Sequence, residues 1–203
     1  MEKKEYYIKE SLKLFMKYGV KTVTIGQITS HLNVSSKTLY AIFGDKTGLV
    51  DECFLLYKKN SEKAFEDLQK ASDNVADMLV KYYNMLVDSI TRINPNFYND
   101  IARYFPEIWD SDEAFGIIQT KALLVQGVEE GLFFSAIDIG LCSETLIILL
   151  RSLFEREPYS RDEIGSHKLM TNVIWPFQDF FACVICAFRA KGGFGKFKIV
   201  LVQ

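Results

Sequence analysis

The chain has 203 residues, 49% of them apolar and 25% charged, with a net charge of −2; that length can bury a sizeable core in one or two domains. The slightly acidic balance excludes a protein that coats nucleic acid with its whole surface. The longest apolar run, 180–188, falls well short of the ~18 residues a membrane helix needs, so no membrane partner is expected. Residues 1–7 are charged and polar and lack the apolar run of an export signal, which predicts a cytoplasmic protein. Few prolines and almost no alternating stretches predict an all-α chain.

In chain order, Ile8, Leu12 and Phe15 form one stripe of a first helix that Gly19 can terminate. Thr24 and Gln27 make a capping box, in which each side chain satisfies a backbone donor left open by a helix start. Ile25, Ile28 and Leu32 then share one apolar face. Asn33 tolerates the left-handed conformation that ends a helix and turns sharply. Ser35 can cap a second short helix, with Val34 plugging the angle between the two and Leu39, Ile42 and Phe43 on the buried side. Ser36, Lys37, Thr38 and Tyr40 are left facing outward. Residues 35–43 would span about 14 Å, enough to cross one DNA groove. Asp45 caps a further helix whose inward face is Leu49, Cys53, Phe54 and Tyr57.

Short hydroxyls suit base edges or phosphates, a lysine adds charge and a tyrosine reaches a phosphate oxygen. The expected DNA-binding residues are therefore Thr24, Ser35, Ser36, Lys37, Thr38, Tyr40 and Lys46, and the expected partner is a double-stranded operator. Charge agrees: residues 1–50 carry eight lysines and four acidic residues, a balance of +4, leaving −6 for the other 153.

Farther along, one helix is predicted over 46–70, and another after Asp73 with Val75, Met78, Leu79, Tyr82 and Leu86 on one face. Asn94-Pro95-Asn96 marks a break. A short helix over 99–104 leads to Pro106, which suits the first turn of a helix reaching about residue 130. Residues 131–138 connect it to a helix that is apolar nearly all round and must be covered on every side. Ser160 and Glu163 offer a capping box for a last helix with Met170, Val173, Ile174 and Phe177 as its stripe. Pro176 breaks that pattern, and the tail beyond it receives no assignment. Met78, Tyr82, Met85, Tyr98, Tyr104, Phe105, Trp109 and Phe115 are the expected lining of a pocket for an apolar or aromatic effector.

No residue set points to catalysis, a metal or a cofactor. His31 and His167 are far apart in sequence; His31 is expected to face solvent or a phosphate and His167 the surface. Cys183 and Cys186 form CxxC inside an apolar run without a second ligand pair and read as core, as do Cys53 and Cys142. The adjacent carboxylates Asp112-Glu113 and Glu129-Glu130 read as solvation.

The series Thr24, Ile28, Val34, Ser35, Thr38, Leu39, Tyr40, Phe43, Lys46 and Leu49 resembles the N-terminal domain of TetR/AcrR-family transcriptional regulators over roughly residues 6–57. Thr29 and Asn33 depart from the small residue and the turn glycine usual there. The segment 127–133 followed by Asp138 is similar to the join between the family's two longest C-terminal helices. The resemblance implies an all-α fold, with a three-helix helix-turn-helix DNA-binding domain over 1–48 and a larger helical effector-binding and dimerisation domain over 49–203. It further implies a repressor released from its operator by a small molecule, and a homodimer formed through the last two long helices. Such a dimer sets two reading helices about 34 Å apart, one turn of DNA. A competing expectation is a protein-interaction adaptor that keeps the three-helix head without reading DNA, since the second motif helix carries only Lys37.

Overall fold

In the computed structural model, which describes residues 2–154, eight α-helices follow one another: α1 (Glu2–Tyr18), α2 (Ile25–Leu32), α3 (Ser36–Phe43), α4 (Lys46–Lys70), α5 (Val75–Arg92), α6 (Pro95–Tyr104), α7 (Pro106–Glu129) and α8 (Ile139–Phe154). The capping box at Ser160, the stripe 170–177, Pro176, His167, the CxxC pair and the tail lie outside the described residues. Among the described residues no helix is long and apolar enough to cross a membrane.

Local chemistry explains most boundaries. Thr24 Oγ1 accepts from Gln27 N at 3.2 Å while Gln27 Oε1 accepts from Thr24 N at 2.8 Å, completing the capping box of α2. Asn33 ends α2 in the left-handed region (φ 54°, ψ 48°). Its N–H and that of Val34 close onto the carbonyls of Ser30 and Thr29 at 3.4 and 3.0 Å, a Schellman pairing that satisfies two orphan acceptors. Ser35 and Asp45 cap α3 and α4 through Thr38 N (3.1 Å) and Gly48 N (2.9 Å). A Cβ at Gly48 would run into the Phe43 carbonyl oxygen, so only glycine lets α4 start this close to the end of α3.

Two expectations are corrected. Ile42 is 37% exposed and stands outside the core, which Leu39 and Phe43 reach instead. Helix α5 follows Asp73 as expected, and its cap is Asn74, whose Oδ1 accepts from Asp77 N at 3.0 Å. Helix α6 begins at Pro95, not at 99, because Asn94 caps it and Pro95 occupies the first helical position, where its missing N–H costs nothing.

Two apolar cores result. The first gathers Ile8, Leu12 and Phe15 of α1, Ile28 and Leu32 of α2, Leu39 and Phe43 of α3, and Leu49, Val50, Cys53 and Phe54 of α4, then closes with Phe97, Tyr98 and Ile101 of α6. The second packs Phe65 of α4 with Val75, Leu79, Tyr82 and Tyr83 of α5, Leu123 and Leu124 of α7 and Leu146 of α8. Helix α4 belongs to both cores.

Helix α6 also grips the end of α1 with hydrogen bonds. Asn94 N donates to Met16 O at 2.8 Å and its Nδ2 to Lys17 O at 3.1 Å, so the residue that caps α6 satisfies the last carbonyls of α1 as well. Asp100 accepts from Lys21 N at 2.6 Å. Gly19 (φ +88°) completes the docking, since a Cβ there would lie 2.8 Å from the Cβ of Asn96.

Candidate nucleic-acid interface and interior cavity

The polar face of α3 is built by its caps and its apolar spacing. Leu39 and Phe43 turn inward, so Ser36, Lys37, Thr38 and Tyr40 are all exposed, Tyr40 by 46%. Lys37 makes no ion pair among the described residues, so its charge is not spent on the fold. Hydroxyls at the helix starts are partly committed. Ser35 Oγ lies 2.9 Å from Thr38 Oγ1 besides capping α3, and Thr24 Oγ1 lies 3.1 Å from Gln27 Oε1 inside the box. Lys46 is half-buried; burial holds its pKa below the usual lysine range, against the opposite pull of Asp100.

Other lysines of the head are tied down, Lys4 to Glu52 and Lys13 to Glu10, each at 2.6 Å. His31 is exposed and lies 3.2 Å from Glu10, linking the end of α2 to α1. Hydrogen bonds from Lys13 and then His31 keep the Glu10 carboxyl below its ordinary range. Cys53 is buried, its Sγ donating to Ile8 O, and desolvation pushes the thiol well up, which leaves it inert.

A cavity of about 340 Å³ lies where α1, α4, α5, α6, α7 and α8 meet. Of the expected lining, Tyr82, Met85, Tyr98, Trp109 and Phe115 are on its wall. Three are elsewhere. Met78 packs into the second core, Tyr104 is 43% exposed with its hydroxyl 3.0 Å from Lys21 Nζ, and Phe105 packs against the first core. A helix turns 100° per residue, so neighbours on an aromatic-rich stretch cannot all face one space.

Leu12, Met16, Tyr57, Asp112 and Glu113 were not anticipated there. Leu12 and Met16 are one helical turn apart on α1, and the same face that builds the head core also reaches the cavity. The pair Asp112-Glu113 is half-buried on the cavity wall, not solvated on an outer face. A signal was available: Asp112 stands three residues from both Trp109 and Phe115, hence on their side of α7. Tyr57 and Tyr98 meet hydroxyl to hydroxyl at 3.3 Å. Burial pushes Tyr57 up to about 12 and raises Tyr82 and Tyr98 as well, so all three remain neutral phenols near pH 7. Among the described residues no group of three or more His, Cys, Asp or Glu side chains is placed to hold a metal ion.

A capped two-helix turn whose second helix leaves Ser36, Lys37 and Tyr40 exposed is the layout of a helix-turn-helix head. Residues 8–53 match the model of the bacterial regulatory proteins of the tetR family, a likeness confined to the head that supports a DNA-binding transcriptional regulator over the adaptor reading. The fold is shared beyond the head. A transcriptional regulator from Cytophaga hutchinsonii superposes with a TM-score of 0.70 at 16% identity, covering 89% of this chain and 97% of its own. The ketosteroid transcriptional regulator KstR2 of Mycobacterium tuberculosis gives 0.62 at 18% identity, over 90% and 94%. A cysteine mutant of the TetR-family regulator CifR, complexed with double-stranded operator DNA, gives 0.60 at 14% identity, over 91% and 94%. None of the curated proteins matches in sequence.

Proposed function

We propose that the chain is a repressor that leaves its operator when a small apolar or aromatic molecule fills the interior cavity. The observation that carries this reading is the presence of Leu12 and Met16 on the cavity wall. They belong to α1, which packs directly on α2 in the head. A ligand therefore touches the head itself, at the helix end whose carbonyl Met16 O is held by Asn94. A molecule that binds the DNA-free arrangement better by 1–3 kcal/mol lowers operator affinity roughly 5- to 150-fold.

In this reading residues 1–48 read DNA and 49–203 bind effector and dimerise, with α6 as a brace between them. Ser36, Lys37, Thr38 and Tyr40 meet the groove and phosphates; Thr24, Ser35 and Lys46 contribute at the helix starts. Dimerisation is supported by exposed apolar residues on the two last described helices: Ile118 and Val125 on α7, and Leu141 and Ile148 on α8, each pair seven residues apart. Such a stripe suits a helix-to-helix interface with a second copy.

Selection of bound sequences from a random DNA pool, followed by displacement with small apolar compounds, tests the reading. A specific, salt-sensitive complex that one or more of those compounds dissociates is expected. A sequence-specific complex that no cavity-filling compound disturbs would overturn effector release while leaving DNA binding in place.

A further inference from the structure

The cavity wall has an uneven chemistry. Among the described residues its lining includes the two carboxylates of Asp112 and Glu113 and no Lys, Arg or His. An anion entering it would meet the Asp112 carboxylate and no cation among the described lining residues. We propose that the effector of this cavity is an organic cation with an apolar or aromatic body, its charge held by the Asp112 carboxylate among the rings of Tyr57, Tyr82, Tyr98 and Trp109. The assignment rests on the cavity being the effector site and adds the ligand's charge to it.

The placement of Asp112 supports this. Its carboxyl bears electrostatically on Tyr57 of α4, Tyr82 of α5 and Tyr98 of α6, three walls of the same space. Among the described residues it is poorly compensated. Desolvation is the largest influence and pushes the carboxyl up to about 6; Lys58 pulls it down and Glu62 pushes it up again. Lys58 is not on the cavity wall and its Nζ is 3.0 Å from Ser111 Oγ. Among the described residues Asp112 accepts no hydrogen bond. A carboxylate left in an apolar space without a donor is costly, and an entering ammonium supplies the missing partner. Aromatic faces add attraction for the same charge and none for a carboxylate.

Three ligands with one body and different heads separate the possibilities: phenylbutylamine, phenylbutanol and phenylbutyrate, titrated into the full chain at pH 7.5 by calorimetry and tryptophan fluorescence. The ammonium is expected to bind about tenfold or more tighter than the alcohol, and the carboxylate weaker than both. Asp112→Asn should bring the ammonium to the level of the alcohol without moving the alcohol. Lowering the pH to 5 should do the same in the unaltered protein, because Asp112 takes up a proton while the ligand keeps its charge; this arm does not depend on the folding of any variant. A carboxylate that binds as tightly as the ammonium, or an ammonium preference that survives both Asp112→Asn and pH 5, overturns the assignment. Equal binding of all three heads overturns the charge assignment and leaves the effector site standing. Binding of none overturns both.

Discussion

Asn33 holds the turn between α2 and α3 at φ 54°, a conformation that glycine adopts freely and asparagine tolerates through its short polar side chain. Asn33→Gly is therefore expected to leave the urea midpoint unchanged or raise it, and Asn33→Ala to lower stability by about 1 kcal/mol. A larger loss for glycine than for alanine would show that the side chain, not the backbone, holds the turn. Asp112 leaves a different signature. Its native carboxyl sits at about 6 against an ordinary 3.8, so between those values the native state holds more protons than the unfolded one. Stability from this group is greatest at low pH and is lost as pH rises through about 6. Thermal melts of the ligand-free protein and of Asp112→Asn should thus diverge as pH increases from 4 to 7, with the variant gaining; parallel curves would contradict the buried carboxylate. The caps at Thr24, Ser35 and Asp45 were legible because each is a contact over three residues. Asp112 was misread because its environment comes from α4, α5 and α6, and no neighbour within three residues other than Trp109 and Phe115 hinted at it.

At the scale of helices, α6 does two jobs with one residue. Asn94 caps it through Asn96 N at 2.9 Å and holds the final carbonyls of α1 through its own N–H and Nδ2. Asn94→Ala keeps the backbone donor to Met16 O but removes the cap and the bond to Lys17 O. A loss of about 1–2 kcal/mol in denaturant melts is expected. If α6 also transmits effector binding to α1, the variant's operator affinity should respond less to a cavity ligand than the parent's does; an unchanged response would place the transmission in α4 alone. The breaks around α6 were readable from Asn94, Pro95 and Pro106. Its role in closing the head core was not, since Phe97, Tyr98 and Ile101 show an apolar face without showing which element it meets.

For the whole molecule the open question is how a head with one uncommitted lysine on its reading helix grips DNA. Two heads on one operator multiply weak contacts, because the second binds at the high local concentration set by the first. The exposed stripe of Ile118, Val125, Leu141 and Ile148 offers the surface for that pairing. Replacing both Leu141 and Ile148 with glutamate is expected to give a folded monomer in sedimentation, with operator affinity at least about a hundredfold weaker. A double variant that remains dimeric would place the interface elsewhere on the body. Salt dependence reads the phosphate contacts directly: Lys37→Ala should lower the slope of log affinity against log salt by about one.

What the sequence determined by itself is most of what is set by short range: the caps of the head helices, the left-handed turn at Asn33, the inward faces of those helices apart from Ile42 and the concentration of lysines in the first fifty residues. These depend on spacings of three to seven residues, within which the chain has little freedom once a helix forms. The tertiary structure decided which faces meet. It brought α6 into the head core, put Leu12 and Met16 on the wall of a cavity otherwise lined by helices of the body, turned Met78, Tyr104 and Phe105 away from it and buried Asp112 among tyrosines from three other helices. Burial, and with it charge state, is a property of neighbours distant in sequence, and only the packing of α4 to α7 supplies them.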